Sequence, residues 1–430
     1  MALKRIIIGT PSFSMARQKG WAFVDKTRYL ALLENECGTP APVFLRPRRF
    51  GKTFLAEMLY CYYDKSLAGE FEQNFKGTWI YSHKTREAGS FCCLCLDFSA
   101  VSSDPGEAGQ SMADELACAM RDFACRYPDL GLPCEQLDEY SSACPADLME
   151  AFAKHFMSSA RGGERLFIII DECDFLANGI LQGIGGEPSH GPGQYGFARD
   201  FYACLQRFHG QGAGNPISRL FITGVTDVSL EPLFQGLECA RDISSDRKFS
   251  AMAGFTHGEL SRLADETLDS SAMPKLEKNG LMAAMEEHYD GYSFSDDAQE
   301  RVFNPNMCLA FLYSVARRGA LPKKAPGNGG DPAARLSALL NLADPKARGC
   351  ICDALARYGQ IAAPGALEAR PFRGGALGLD EAVRLLLRMG YLTFGGCGNA
   401  RFRLANRLSS DAFFACLGAK AGQAPTALQG

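Results

Sequence analysis

The sequence predicts an α/β fold: a parallel sheet sandwiched by helices, then a mainly helical lid and a winged-helix-like C-terminal region. Three observations predict it. Short, largely apolar, strand-like runs recur at Val43–Leu45, Phe91–Phe98, Leu166–Ile170 and Leu220–Val225. Amphipathic patterns with a helical period fill the intervals between them, and strands that alternate with helices pair in parallel and are covered on both faces. Near the C-terminus the order becomes helix, turn, strand, turn, strand, which is the layout of a small winged helix.

Taken in order, residues 1–40 hold a strand-like run, a loop and an amphipathic stretch, Lys26 to Glu34. The run at 43–45 leads through a basic loop into the apolar-periodic segment Phe54–Tyr63. Helical patterns follow at Ala108–Arg126, where Met112, Leu116, Met120 and Phe123 share one face, at Ala146–Ser159 and at Phe197–Phe208. Residues 179–196 are glycine-rich and read as a long loop. Residues 320–332, with Pro322, Lys323, Lys324 and Pro326, read as a linker or exposed loop, and a second break falls at 364–378. A helix at Asp380–Met389, strands at Tyr391–Phe394 and Arg401–Leu404, and a Gly/Ala-rich tail complete the chain. The expected division is a parallel-sheet domain at 1–250, a helical lid at 251–318, a linker at 319–333, a helical and winged-helix-like region at 334–418 and a tail at 419–430.

Composition sets the class. The chain has 430 residues, 47% hydrophobic and 22% charged, with a formal net charge of −4. That is an ordinary globular composition with no global basic field to draw it to nucleic acid or membrane. No run approaches the roughly 18 apolar residues of a membrane span, and Met1-Ala2-Leu3-Lys4-Arg5 leads into an apolar run too short for a leader. Seventeen cysteines, scattered and odd in number, read as reduced thiols, so a cytoplasmic location is expected. Cys92 and Cys95 form a C-x-x-C inside a strand pattern and Cys350 and Cys352 are one residue apart; neither has the turn and second pair of a metal knuckle. The histidines, His83, His155, His190, His209, His257 and His288, show no ligand spacing.

The chemistry concentrates in two places. Val43-Phe44-Leu45-Arg46-Pro47-Arg48-Arg49-Phe50-Gly51-Lys52-Thr53 has the strand–loop–helix layout of a phosphate-binding P-loop. Gly51 allows close backbone approach to a phosphate, Lys52 reaches the β/γ-phosphates, and the Thr53 hydroxyl suits Mg2+. The helix that starts there directs free N–H groups and its dipole at an anion. Arg46 stands where such loops usually begin with glycine. Arg46, Arg48 and Arg49 either neutralise phosphate charge or pair within the fold, a reading preferred to DNA contact because no exposed aromatics are interleaved with them.

The second place is Leu166-Phe167-Ile168-Ile169-Ile170-Asp171-Glu172, an apolar strand ending in two carboxylates. Asp171 at the strand tip is a Mg2+ ligand, directly or through water, and Glu172 polarises an attacking water. Both motifs fall at the C-terminal ends of parallel strands, where open α/β sheets bind ligands. The strand Leu220–Val225 ends in Thr223-Gly224 and suits a γ-phosphate sensor, with Thr223 and Thr226 as candidates. ATP is preferred to GTP because no Asn-Lys-x-Asp guanine-reading motif is present.

These residues resemble the bacterial AAA-ATPase-like family. The resemblance rests on Phe23-Val24-Asp25-Lys26-Thr27, the Arg46–Thr53 loop, Ile170-Asp171-Glu172-Cys173-Asp174 and Phe221-Ile222-Thr223-Gly224-Val225. It continues through Gly254-Phe255-Thr256, His288-Tyr289-Asp290-Gly291-Tyr292-Ser293-Phe294, Val302-Phe303-Asn304-Pro305 and Gly390-Tyr391-Leu392-Thr393. The family's loop typically carries Arg at the Arg46 position. The resemblance implies a P-loop NTPase core with Lys52 and Thr53 on phosphate and Mg2+ and Asp171 and Glu172 as the acidic pair. Two departures stand out: Cys173 replaces the more usual Tyr, and the residues after Tyr391 lack the acidic-x-Lys pattern of the restriction-like nuclease domain that many members carry, so DNA cleavage is not expected.

The expected function is ATP binding with Mg2+. Arg46, Arg48, Arg49, Phe50, Gly51, Lys52, Thr53 and Thr223 form the nucleotide set, Lys52 and Glu172 the catalytic pair, and Thr53 and Asp171 the metal ligands. Hydrolysis would drive a conformational switch; the alternative is a slowly hydrolysing nucleotide switch that docks a protein or DNA. Arg384, Arg388, Arg401 and Arg403 are too few to decide whether the winged-helix-like region binds DNA. Arg219, Arg241 and Arg247 are candidates for a finger in an oligomer.

Overall fold

The computed structural model describes residues 3–9, 12–104, 106–131, 144–160, 163–175, 177, 196–210, 215–227, 230–268, 278–289, 291–327, 329–367, 375–396 and 400–418. The glycine-rich stretch 179–195, Asp290, much of the 364–378 break and the tail from 419 lie outside the described residues.

Five parallel strands form the central sheet: β1 (Ala41–Leu45), β2 (Cys92–Asp97), β3 (Leu166–Asp171), β4 (Ile217–Gly224) and β5 (Ala240–Asp242). Their spatial order is β2-β3-β4-β1-β5. β1 pairs with β4 at Val43↔Ile222 and with β5 at Ala41↔Ala240. β3, six apolar-to-acidic residues long, is buried throughout because helices cover both faces. One apolar layer joins Leu94, Ile168 and Leu220 to the helices Ala108–Arg126, Pro145–Ser159 and Gly196–Phe208. The other joins Phe44, Phe167 and Phe221 to the helices Arg28–Asn35 and Lys52–Tyr63. The sheet is thus sandwiched by helices, as its apolar strands require.

The lid comprises the helices His257–Thr267, Lys278–Tyr289 and Pro305–Arg318, with the two-stranded pair β6 (Phe255–Thr256) and β7 (Val302–Phe303) between their ends. Local chemistry fixes the helix ends. Thr256 and Glu259 form a capping box. Asn304 caps the last helix, Pro305 occupies its first turn, and Gly319 closes it at φ 64° behind Arg317 and Arg318. Leu260, Met285, Phe311 and Leu312 form the lid's own core, and Ile6 from the N-terminal segment joins it.

The C-terminal region contains the helices Pro332–Asn341, Pro345–Tyr358, Leu379–Arg388 and Arg407–Cys416 and three short strands, β8 (Gln360–Ala362), β9 (Leu392–Phe394) and β10 (Arg401–Leu404). The strands form an antiparallel sheet in the order β8-β10-β9. Helix Pro345–Tyr358, β8, a short turn of helix at Pro364–Leu367, helix Leu379–Arg388, β9 and β10 follow the connectivity of a winged helix. Ile351, Leu355, Val383, Leu386 and Phe402 fill its core. Among the described residues, no helix is long and apolar enough to cross a membrane.

Candidate functional site

The sheet order puts the ends of β1 and β3 on either side of the end of β4. The loop after β1 and the acidic pair after β3 therefore meet at one edge. The loop turns through two left-handed residues, Arg49 at φ 66° and Gly51 at φ 89°. At Gly51 it is the backbone that demands glycine: a Cβ there would meet nothing within 4 Å. Gly51 is also the N-cap of the helix Lys52–Tyr63 and supplies no side-chain cap. The first-turn N–H groups of that helix are left to an external acceptor, which is the arrangement that binds anions.

Lys52 is buried and Thr53 exposed toward the cavity. The Thr53 side chain lies beside the Asp171 carboxylate and favours its charged form. Asp171 accepts from the Glu172 N–H at 2.9 Å. Glu172 sits at φ 53°, a conformation uncommon for a side chain of its size and one that clusters at functional sites. Burial raises the pKa of Asp171 above the usual carboxylate range, with Thr53 and Lys52 acting against it. Burial likewise raises Glu172, opposed by Lys52. Such desolvated carboxylates beside a lysine mark sites where charge is handled.

The cavity at this edge has a volume of about 690 Å3, within the range of small-molecule sites. Its polar lining comes from Arg48, Arg49, Lys52, Thr53, Ser99 and Glu172. Its apolar lining includes Ile7 and Ile8 from the N-terminal segment, Phe23 and Val24, and Met252 and Phe255 at the entrance to the lid. Pro305, Asn306 and Leu309 at the start of the lid helix also line it. Lys26 ties these parts together, donating to Glu259 at 2.6 Å and to the Ala251 carbonyl at 2.8 Å.

Two residues expected on nucleotide lie elsewhere. Arg46 is fully buried and its guanidinium does not line the cavity. It donates to the carbonyls of Leu45, Ser244, Phe249 and Ser250 at 2.8–3.2 Å, between the rings of Phe44 and Phe294 at 4.3 and 4.2 Å. Burial, with Arg388 nearby, lowers its pKa to about 9. Thr223 is fully buried and donates its hydroxyl to the Phe44 carbonyl at 2.7 Å. Arg219, considered above as a finger, is paired with Glu87 at 2.7 Å.

Other residues of the site were missed in the sequence reading. Asp174 accepts from the N–H groups of Val225 and Thr226, both at 3.0 Å, and so ties the end of β4 to the acidic turn. Gly224 makes this approach possible, since a Cβ there would stand 2.4 Å from Asp174 Oδ1. The apolar lining from Ile7, Ile8, Met252 and Phe255 carries no sequence signal beyond hydrophobicity. Asn306 follows a helix-capping Asn304 and reads as part of the cap.

The fold and the P-loop define a P-loop protein of the ATPase type. A family model described as "Predicted AAA-ATPase" matches residues 7–234, and the chain belongs to that family. An uncharacterized protein from the vnfD 5' region of Azotobacter chroococcum is 26% identical over 310 residues, 71% of this chain and 51% of that protein. The chain thus spans about half the length of the curated relative it matches. Among solved structures, the Aeropyrum pernix ORC1 protein in complex with DNA is similar with a TM-score of 0.31 and 14% identity, over 92% of this chain and 93% of that one.

Proposed function

We propose that the chain binds ATP with Mg2+ in this cavity and hydrolyses it to drive a conformational change. One observation carries the reading: a single cavity of about 690 Å3 brings an uncapped helix N-terminus, Lys52 and Glu172 together with apolar side chains such as Ile7, Val24 and Met252. The polar lining suits a triphosphate and the apolar lining a base. The residues present fit the metal as well. Mg2+ prefers oxygen ligands and is commonly held by one or two protein oxygens together with phosphates and water; the Thr53 hydroxyl on the cavity wall and the Asp171 carboxylate beside it, just behind the lining, would supply them. When bound, the metal would offset negative charge on the phosphates.

The protein's own groups do the rest. Backbone N–H groups from Arg48 to Thr53 cradle the phosphates and Lys52 neutralises charge that develops on them. Glu172, as the carboxylate, accepts a proton from and orients the attacking water. Arg46 and Thr223 take no part in this assignment, because their polar groups are engaged inside the fold. Glu172→Gln should bind ATP normally and lower steady-state phosphate release by about a hundredfold or more. Rapid wild-type turnover that persists undiminished in Glu172→Gln removes Glu172 as the base. A slow nucleotide switch is the second reading, favoured by the seating of the C-terminal region directly on the P-loop. Tight binding by the wild-type chain with turnover no faster than that of Glu172→Gln selects it.

A further inference from the structure

The third helix of the winged helix, Leu379–Arg388, is packed against the ATPase sheet. Arg384 Nε lies 3.5 Å from Asp227 Oδ2, and both side chains are nearly buried. Arg388, one turn later, donates to Asp242 at 2.6 Å. Asp227 follows β4 and Asp242 ends β5, so both carboxylates stand at the sheet edge that carries the nucleotide cavity. In three-helix variants of the helix-turn-helix, the third helix is the one presented to a partner. Here its two arginines are already engaged by the chain's own carboxylates.

The same contact reaches the P-loop along three routes. Asp242 accepts from the Ser244 N–H at 2.8 Å, and Ser244 Oγ accepts from the Leu45 N–H at 2.7 Å, directly before Arg46. Gly390, at φ 79°, is seated on Pro47: a Cβ there would stand 3.0 Å from the proline ring. Tyr292 and Phe294 set their rings edge-on to Phe50, 5.0 and 5.3 Å away. Tyr292 accepts from Asn406 at 2.8 Å, and Thr393 accepts from the Ser293 N–H at 2.7 Å. A displacement of the P-loop therefore bears on the winged helix through Pro47, Phe50 and the 242–244 turn together.

We propose that these contacts form an autoinhibitory clasp: the Leu379–Arg388 face is held shut on the ATPase domain, and occupancy of the nucleotide cavity shifts its opening. The proposal rests on the nucleotide reading above for its trigger, but the clasp itself is a property of the ligand-free chain. Coupling of this kind is reciprocal, so whatever loosens the clasp changes nucleotide affinity by the factor with which nucleotide changes the clasp.

The test is hydrogen exchange of residues 379–394 in the full chain, wild type against Asp227→Asn/Asp242→Asn, each with and without Mg2+ and the slowly hydrolysed analogue ATPγS. The Asp242→Asn change keeps a side-chain acceptor for the Ser244 N–H, which favours a folded variant, and unchanged protection of β3 verifies it. Without nucleotide, the variant should exchange about tenfold faster over 379–394 while Ile351 and Phe402 in the winged-helix core stay protected. ATPγS should change exchange over the same residues in the wild type, and its affinity for the variant should change by a matching factor. Equal exchange in variant and wild type without nucleotide overturns the clasp. Saturable ATPγS binding that leaves 379–394 unchanged overturns the coupling. If the wild type binds no ATPγS, the nucleotide reading and the trigger both fail, and the ligand-free comparison still decides the clasp.

Discussion

Arg46 occupies the place of a glycine in most phosphate loops, and its geometry accounts for the substitution. The side chain turns away from the cavity and organises the underside of the loop, with four carbonyls as partners and two rings as walls. Removing it leaves those carbonyls unsatisfied in a buried site. Arg46→Ala and Arg46→Gly should each lose about 3–5 kcal/mol of stability in urea titrations; a loss below ~1 kcal/mol would place the guanidinium in solvent. Glu172 and its neighbours have the opposite relation to stability. Burial raises the pKa of Asp171, Glu172 and Asp174, so over the interval above the ordinary carboxylate range the folded chain binds more protons than the unfolded one. Ligand-free stability then falls as pH rises through that interval. Glu172→Gln removes one such group, so its thermal midpoint without ligand should exceed the wild type's at neutral pH and converge with it toward pH 4. A lower midpoint at neutral pH would mean that Glu172 is stabilised in its charged form.

At the scale of elements, legibility followed length and burial. The run at Leu166–Ile170 announces β3 because a strand buried on both faces must be apolar throughout, and the run from Phe91 announces β2, whose Cys92, Cys93, Leu94 and Leu96 are buried while Asp97 at its end is exposed. The pattern Ala108–Arg126 gives that helix its observed bounds. The acidic pair and the Gly51-Lys52-Thr53 turn were visible because their chemistry needs particular residue types. β5 and β8 went unread: each has three residues, partly exposed, and Arg241 and Asp242 make β5 look like loop. Arg46 and Thr223 were assigned to nucleotide because a sequence does not reveal which way a side chain turns. Gly390 reads in the sequence as a turn glycine, but its contact with Pro47 gives it a second role. Gly390→Ala combines an unfavourable φ with a close approach to the P-loop and should cost about 1–2 kcal/mol, measured by chemical denaturation. A neutral effect would mean that the two segments do not touch.

At the scale of the whole molecule, the sheet domain, the N-terminal segment and the lid line one cavity, and the winged helix rests on the P-loop that forms part of its wall. That meeting was not legible in the sequence, since it depends on contacts such as Arg388–Asp242 and Thr393–Ser293 between distant segments. The arrangement suits a protein in which nucleotide occupancy is transmitted through the P-loop to the C-terminal region. The proposed function, and the trigger of the clasp, depend on nucleotide binding in this cavity. Calorimetric titration of Mg2+–ATP into wild type, Glu172→Gln and Lys52→Ala tests that most directly. The wild type and Glu172→Gln should saturate at one site per chain, and Lys52→Ala should bind about 10–100-fold more weakly. No binding by the wild type, or equal affinity in Lys52→Ala, would contradict the account.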